Sequence, residues 1–298
     1  MFVAITAQWA WALRAVWATL PVTFGLLLGD ALADTSRPIQ LTVVGGAWLL
    51  WAAGLVATLV FHPIGLVVLR PTAVLAVAAA GWATVHTRGG PSWSSASIAL
   101  GAGAAIVAVI AAFSPETGHL AVNGPAYPNE RRFLLRPAAV YLLGPIPLAA
   151  ALLVGGLVTG PLLLAARQWI AGAMAVAVGV ALVWATTRSL HAVARRFAVF
   201  VPAGFVVHDA NALREPVLFL RAKVERFRVA DESSDALDLT GGAAGLVVEV
   251  DLREKVEVTK VSGPRDRGET GGTARFLIVP TLPGRLLAEA AERRYATD

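Results

Sequence analysis

The side chains best able to do chemistry fall in one polar stretch, residues 114–137 (SPETGHLAVNGPAYPNERRFLLRP), set between apolar runs. Glu116, His119, Asn123, Tyr127 and Glu130 supply carboxylate, imidazole, amide and phenol groups, and Arg131, Arg132 and Arg136 supply three cations. Such a set could hold an anion or a charged substrate. The competing reading, which the composition favours, is a juxtamembrane arginine cluster that fixes topology and touches anionic head groups or the chain's own soluble part. A second basic set, Arg221, Lys223, Arg226 and Arg228, lies near a strand hairpin, with Arg226 and Arg228 on one strand face and Glu225 on the other. With Arg188, Arg195 and Arg196 it makes up the candidate contacts to anionic lipid head groups.

Other chemistries are excluded or unsupported. The chain has no cysteine, so disulfides, thiolate nucleophiles and Cys-ligated metal centres are ruled out. The histidines, 62, 86, 119, 191 and 208, are scattered without metal-ligand spacing. The Gly241-Gly242 and Gly271-Gly272 pairs lack the strand-to-helix context of a phosphate loop. Asp30 and Asp34 read as the end of a helix with Arg37 following, and Arg70, near a helix end, can reach the membrane interface. The expectation is therefore no catalytic residue, no metal and no cofactor.

These residues must be positioned by two very different halves, divided at RSLHAVARR, residues 188–196. Residues 1–196 carry eleven arginines against four acidic residues, a charge of +7; residues 197–298 carry fourteen basic against sixteen acidic, −2. Mean hydropathy is +0.66 and 56% of the 298 residues are hydrophobic, above the roughly 45–50% of soluble proteins. The pI near 10.2 comes from arginines in and beside the apolar half, which argues for membrane orientation rather than nucleic acid. Arginine outnumbers lysine 22 to 3 alongside heavy Ala, Gly and Val usage, the codon bias of a GC-rich bacterium.

A spanning helix needs about 20 apolar residues. Six stretches qualify: residues 11–33, 41–61, 64–86, 95–113, 137–158 and 161–187. Placing both termini in the cytoplasm puts eight arginines inside (14, 70, 131, 132, 136, 188, 195 and 196) and three outside (37, 88 and 167). Ala31-Leu32-Ala33 has the form of a signal-peptidase site, but the weakly charged start and Asp30 favour a retained span. Small residues four apart, Gly101 with Ala105 and Ala171 with Ala175 and Gly179, suit close helix packing within the chain.

After residue 196 the hydrophobic period becomes two. Strands are expected at 198–202, 205–208, 217–220, 224–229, 236–239, 246–252, 255–261 and 274–280, with a flexible loop at 262–272. Pro283 then opens a helix with an apolar stripe of Leu286, Leu287, Ala290 and Ala291. The fold class expected is an α-helical membrane bundle of about six transmembrane helices, residues 1–196, followed by a small, mostly-β pleckstrin-homology-like barrel with a C-terminal helix, residues 197–298. The acidic second half would dock on a collar formed by Arg131, Arg132, Arg136, Arg188, Arg195 and Arg196.

The stretches RRFAVFVPAGFVVHD (195–209), ALDLTGGAAGLVVEVDL (236–252), PTLPGRLLAEA (280–290) and NGPAYPNERRFLLRP (123–137) resemble a group of actinobacterial multi-pass membrane proteins with a C-terminal pleckstrin-homology-like domain. The resemblance implies a fold and no activity. The expected role is a non-enzymatic scaffold or sensor of a bacterial envelope complex, with a small-molecule or lipid transporter or a lipid-handling membrane enzyme as the alternative. The expected setting is the bacterial plasma membrane, with the bilayer, anionic head groups and other membrane proteins as partners, and no nucleic acid.

Overall fold

The computed structural model describes residues 2–87, 93–138, 140, 144–231, 233–261 and 268–297. It divides into two compact units: residues 1–121 with 148–191, and residues 122–147 with 192–298.

The first unit holds six helices long and apolar enough to cross a membrane. They are α1 (Phe2–Leu32), α2 (Arg37–Leu59), α3 (Pro63–His86), α4 (Trp93–Phe113), α6 (Pro145–Ala165) and α7 (Trp169–Ala194); the short α5 (Pro115–Asn123) follows α4. In lipid, helices associate through close packing and interhelical hydrogen bonds. Both are present here. Trp17 and Trp51 donate their indole N–H groups to each other's backbone carbonyls at 2.9 Å, joining α1 to α2. Gly54 lies under the Trp17 ring, where a Cβ would collide with it. Two arginines satisfy the ends of neighbouring helices: Arg14 Nε donates to the Thr58 carbonyl in the last turn of α2, and Arg70 Nε to the Ala112 carbonyl at the end of α4. The guanidiniums thus meet the negative ends of two helix dipoles.

The small-residue expectation holds for Gly101, which abuts Leu27 of α1, and for Ala105, which is fully buried. In α7 the contact stripe is Gly172, Val176 and Gly179 rather than 171, 175 and 179. Gly179 faces Gly156 of α6, and Ala171 is exposed. The boundary between the last two spans also moves. Pro161 lies inside α6, and the break falls at Arg167, whose φ is 63°. Arg167 N–H bonds to the Leu164 carbonyl and Gln168 N–H to the Leu163 carbonyl, a Schellman close. Placing the turn there keeps the charge and the amide out of hydrocarbon.

The second unit is built from two sheets. The first has the order β1-β2-β3-β4, all antiparallel: β1 (Arg131–Leu134), β2 (Phe197–Val201), β3 (Gly204–His208) and β4 (Val217–Leu220). The second has the order β6-β8-β7-β5-β9: β5 (Val224–Val229), β6 (Leu237–Asp238), β7 (Val248–Lys260), β8 (Glu269–Ile278) and β9 (Ala296–Thr297). Their inward residues share one core. Phe200, Phe205, Phe219, Phe227 and Phe276 are fully buried in it, and Leu286 and Ala290 of α8 (Pro283–Glu292) pack onto it. Gly204 makes the β2–β3 turn possible, since a Cβ there would run into the Phe219 carbonyl.

Three expectations change. Among the described residues the sheets do not close into a barrel; they are tied by short bridges, Leu135 with Pro280 and Leu213 with Lys260. The strands expected at 246–252 and 255–261 are one long strand with a shift between Asp251 and Val256. Of the expected 262–272 loop, residues 262–267 lie outside the described residues, and 269–272 extend β8, pairing Lys260 with Glu269 and Thr259 with Thr270. Opposite charges and paired hydroxyls, 2.9 Å apart, favour the longer ladder.

The largest difference is β1. It comes from the polar stretch between α4 and α6 and adds Phe133 to the core of the second unit, with Leu135 just past the strand joining the same core. A fragment of residues 197–298 therefore lacks an edge strand and part of its core. It is expected to melt broadly by circular dichroism, whereas residues 122–138 linked to 192–298 should melt cooperatively. Equal cooperativity of the two fragments would show that β1 contributes nothing.

Candidate functional site

The polar stretch is divided between the two units. Glu116 and His119 sit on α5 within the first unit, where Ser114 Oγ accepts the Thr117 N–H at the helix start. Asn123, Tyr127, Glu130, Arg131, Arg132 and Arg136 belong to the second. There they build the entry to β1. Asn123 grips the Arg132 backbone from both sides, accepting its N–H at 2.9 Å and donating to its carbonyl at 2.7 Å. Glu130 pairs with the Arg132 guanidinium at 2.9 Å and also accepts the Tyr127 N–H. The Arg132 guanidinium lies over the Phe197 ring, 5.6 Å from its centroid. Arg131 and Tyr127 are exposed, and Arg136 donates to the Ala244 carbonyl.

Arg196, expected to touch head groups, is 3% exposed and cannot do so. Its Nε and one terminal nitrogen engage both oxygens of Asp209, at 2.8 and 2.6 Å, and its other nitrogen donates to the Arg136 carbonyl. Asp209 is 2% exposed and also accepts the Asn211 N–H. Arginine suits this place because its planar fork matches a carboxylate and stays charged when buried.

Arg226 and Arg228 do share one face of β5, but that face carries their counter-ions. Glu249 and Asp251 on β7, both buried, stand opposite them in register. Arg226 meets Asp251 at 2.6 Å, Arg228 meets Glu249 at 2.8 Å and Asp251 at 3.3 Å, and Arg275 of β8 completes the row from beyond Asp251. This is a cross-strand charge ladder. It consumes the cations assigned to lipid. Arg221 lies over the Tyr295 ring and donates to the Arg293 carbonyl, while Lys223 pairs with Glu254 in a partly exposed bridge of small energetic value. Arg188 and Arg195 are exposed, Arg188 stacking on Trp184.

The charge balance changes with the membership of the unit. Adding Arg131, Arg132, Arg136, Arg195 and Arg196 and one acid, Glu130, to residues 197–298 turns −2 into +2. Five of the six arginines of the expected collar are thus parts of the β unit itself, and that unit is not acidic. Among the described residues, no group of three or more His, Asp or Glu could hold a metal ion.

Sequence reasoning missed Asp209, Glu249 and Asp251. A signal for the last two existed: acids two apart in VEVDL mirror arginines two apart in VERFRV, as an antiparallel pair requires. Asp209 had none, because its partner lies 13 residues away across a hairpin. No family model matches the chain, and no curated protein or solved structure matches it either.

Two outcomes follow. Removing one member of a buried pair strands the other, at a cost of about 3–5 kcal/mol, whereas replacing both by apolar residues is far cheaper. Hydrogen exchange of the β2 and β3 amides should therefore accelerate strongly in Arg196→Met and much less in Arg196→Met with Asp209→Leu. Additive effects would show that the ion pair is not the unit of stability. The second outcome concerns His208, stacked on Phe197. Burial, then the Arg195 guanidinium, outweigh the opposing Asp209, and with Arg132 adding to them they hold its pKa below 6.5. The unfolded state therefore binds the proton first as pH falls. Stability linked to His208 is complete above about pH 6.5 and declines below it. The protection factors of the β-unit amides, their exchange rates taken relative to the intrinsic rate at each pH, should fall between pH 7 and 5.5, and His208→Gln should flatten that slope.

Proposed function

We propose that the chain is a non-enzymatic scaffold or sensor of a bacterial envelope complex, of the kind suggested by its resemblance to actinobacterial multi-pass membrane proteins. In this reading it lies in the plasma membrane with both termini in the cytoplasm, and its second unit is a pleckstrin-homology-like domain. The observation that carries the reading is the fate of the charged groups. Arg132 with Glu130, Arg196 with Asp209, and the ladder of Arg226, Arg228 and Arg275 with Asp251 and Glu249 are spent on holding the fold. What the unit presents instead is an edge strand, β4, with Leu218 and Leu220 exposed at 44% and 46%. An unpaired edge with apolar side chains is a surface for adding a partner's strand. Two sheets sharing one core with a C-terminal helix support the domain assignment.

The transporter or enzyme alternative needs polar groups converging in the helical unit. Arg70 is committed to the Ala112 carbonyl at one end of the α1–α4 bundle, and Asp30 lies at the other end of α1 from Arg14, roughly 24 Å along at 1.5 Å per residue.

Single cysteines placed at Ser36 and Lys255 test the orientation without native background. An impermeant maleimide on whole cells should label Ser36→Cys and spare Lys255→Cys. A photo-crosslinking residue at position 218 or 220 should then trap discrete protein partners in native membranes. Absence of any adduct at both positions would remove the scaffold reading, and reversed labelling would remove the orientation.

A further inference from the structure

The helical unit contains a cavity of about 740 Å³ between α3, α6 and α7. Its floor is set where α6 and α7 touch through Gly156 and Gly179, so closely that a Cβ on Gly156 would sit 2.9 Å from the Gly179 carbonyl oxygen. Its walls are apolar: Val67 and Val68 of α3, Leu157 of α6, and Val176, Val180 and Val183 of α7. At one end the lining turns polar, with Thr187, Arg188 and His191 beside Trp184.

Three features point to one occupant. The lining has no acidic residue, and among the described residues Arg188, exposed and stacked on Trp184, makes no ion pair. His191 Nδ1 is buried there without a hydrogen-bond partner. From Val176 to Arg188 the groove follows α7 for roughly 18 Å at 1.5 Å per residue, close to the ~15 Å depth of one leaflet of a ~30 Å hydrocarbon core. Arg188 is the last residue of the candidate span Trp169–Arg188, and a cation at the end of a span is placed to meet head-group phosphates.

We propose that this groove is a binding site for a glycerophospholipid with an anionic head group. One acyl chain lies along α7 over the Gly156–Gly179 contact, and the phosphate is held by Arg188, with Thr187 and His191 at the same end. The site is independent of the scaffold reading, which concerns the second unit.

The test uses the full chain purified in detergent and titrated with phosphatidylglycerol or phosphatidylcholine, bound lipid being counted by native mass spectrometry. The wild-type chain should retain phosphatidylglycerol at least tenfold better than phosphatidylcholine, and inorganic phosphate should not displace it. Arg188→Gln should lower retention to the phosphatidylcholine level, and Val180→Trp, which fills the groove, should lose both lipids. Tryptophan-monitored melting should stay within a few degrees, showing that the helices remain assembled. Equal retention of the two lipids, or no effect of Arg188→Gln, would overturn the proposal. So would a dimer that Val180→Trp dissociates without changing bound lipid, since the groove would then be an interface with a second copy.

Discussion

The second unit depends on one buried contact, the two-pronged pair of Arg196 and Asp209. Arg196 stands immediately before β2, Asp209 immediately after β3, and the free prong of the guanidinium reaches the Arg136 carbonyl just past β1. The Arg196 carbonyl in turn accepts the Leu135 N–H. One residue therefore fixes the ends of three strands, two of which enter the unit from separate stretches of chain. Charges taken out of water are costly unless every lone pair and proton is satisfied. That requirement makes the joint specific: a slip of one residue would turn Arg196 or Asp209 away from its partner and leave a bare charge in the core.

The same economy of polar groups runs through the helical unit. Helix ends leave carbonyls without partners, and lipid offers none. Arg14 and Arg70 supply donors to the ends of α2 and α4, and each guanidinium also lies against an aromatic face, Trp11 and Phe61 for Arg14 and Phe113 for Arg70. Arginines that sequence alone reads as orientation signals thus double as caps. Trp17 and Trp51 do likewise for each other's helices, since an indole N–H buried in lipid must find an acceptor. Charge that looks available for chemistry is mostly in use by the fold.

Much of the architecture was legible because its signals are local. A run of about 20 apolar residues has one stable outcome in a bilayer, so the six spans were readable to within a few residues except at the start of α6, expected at 137 and found at Pro145, and at the α6–α7 turn. There the Gly-Pro at 160–161 suggested a break, but a proline missing one N–H is tolerated inside a membrane helix, whereas a charged Arg167 in hydrocarbon is not. Period-two patterning likewise located β2 to β5, and the amphipathic stripe located α8. β1 was missed because four residues, RRFL, carry no period, and their strand character exists only in the ladder with β2.

By itself, then, the sequence determined the number and rough limits of the membrane helices, the β character of the C-terminal half and the amphipathic closing helix. Each follows from hydrophobic length or period along the chain. The tertiary structure alone decided which charges are partnered, that the stretch between α4 and α6 joins the β unit from Val122 onward, and that α3, α6 and α7 leave a groove ending at Arg188. Those outcomes rest on contacts between residues tens to more than a hundred positions apart, such as Leu135 with Pro280. Pairing at that range is set by packing and by the cost of an unsatisfied polar group, quantities that no short window of residue types encodes.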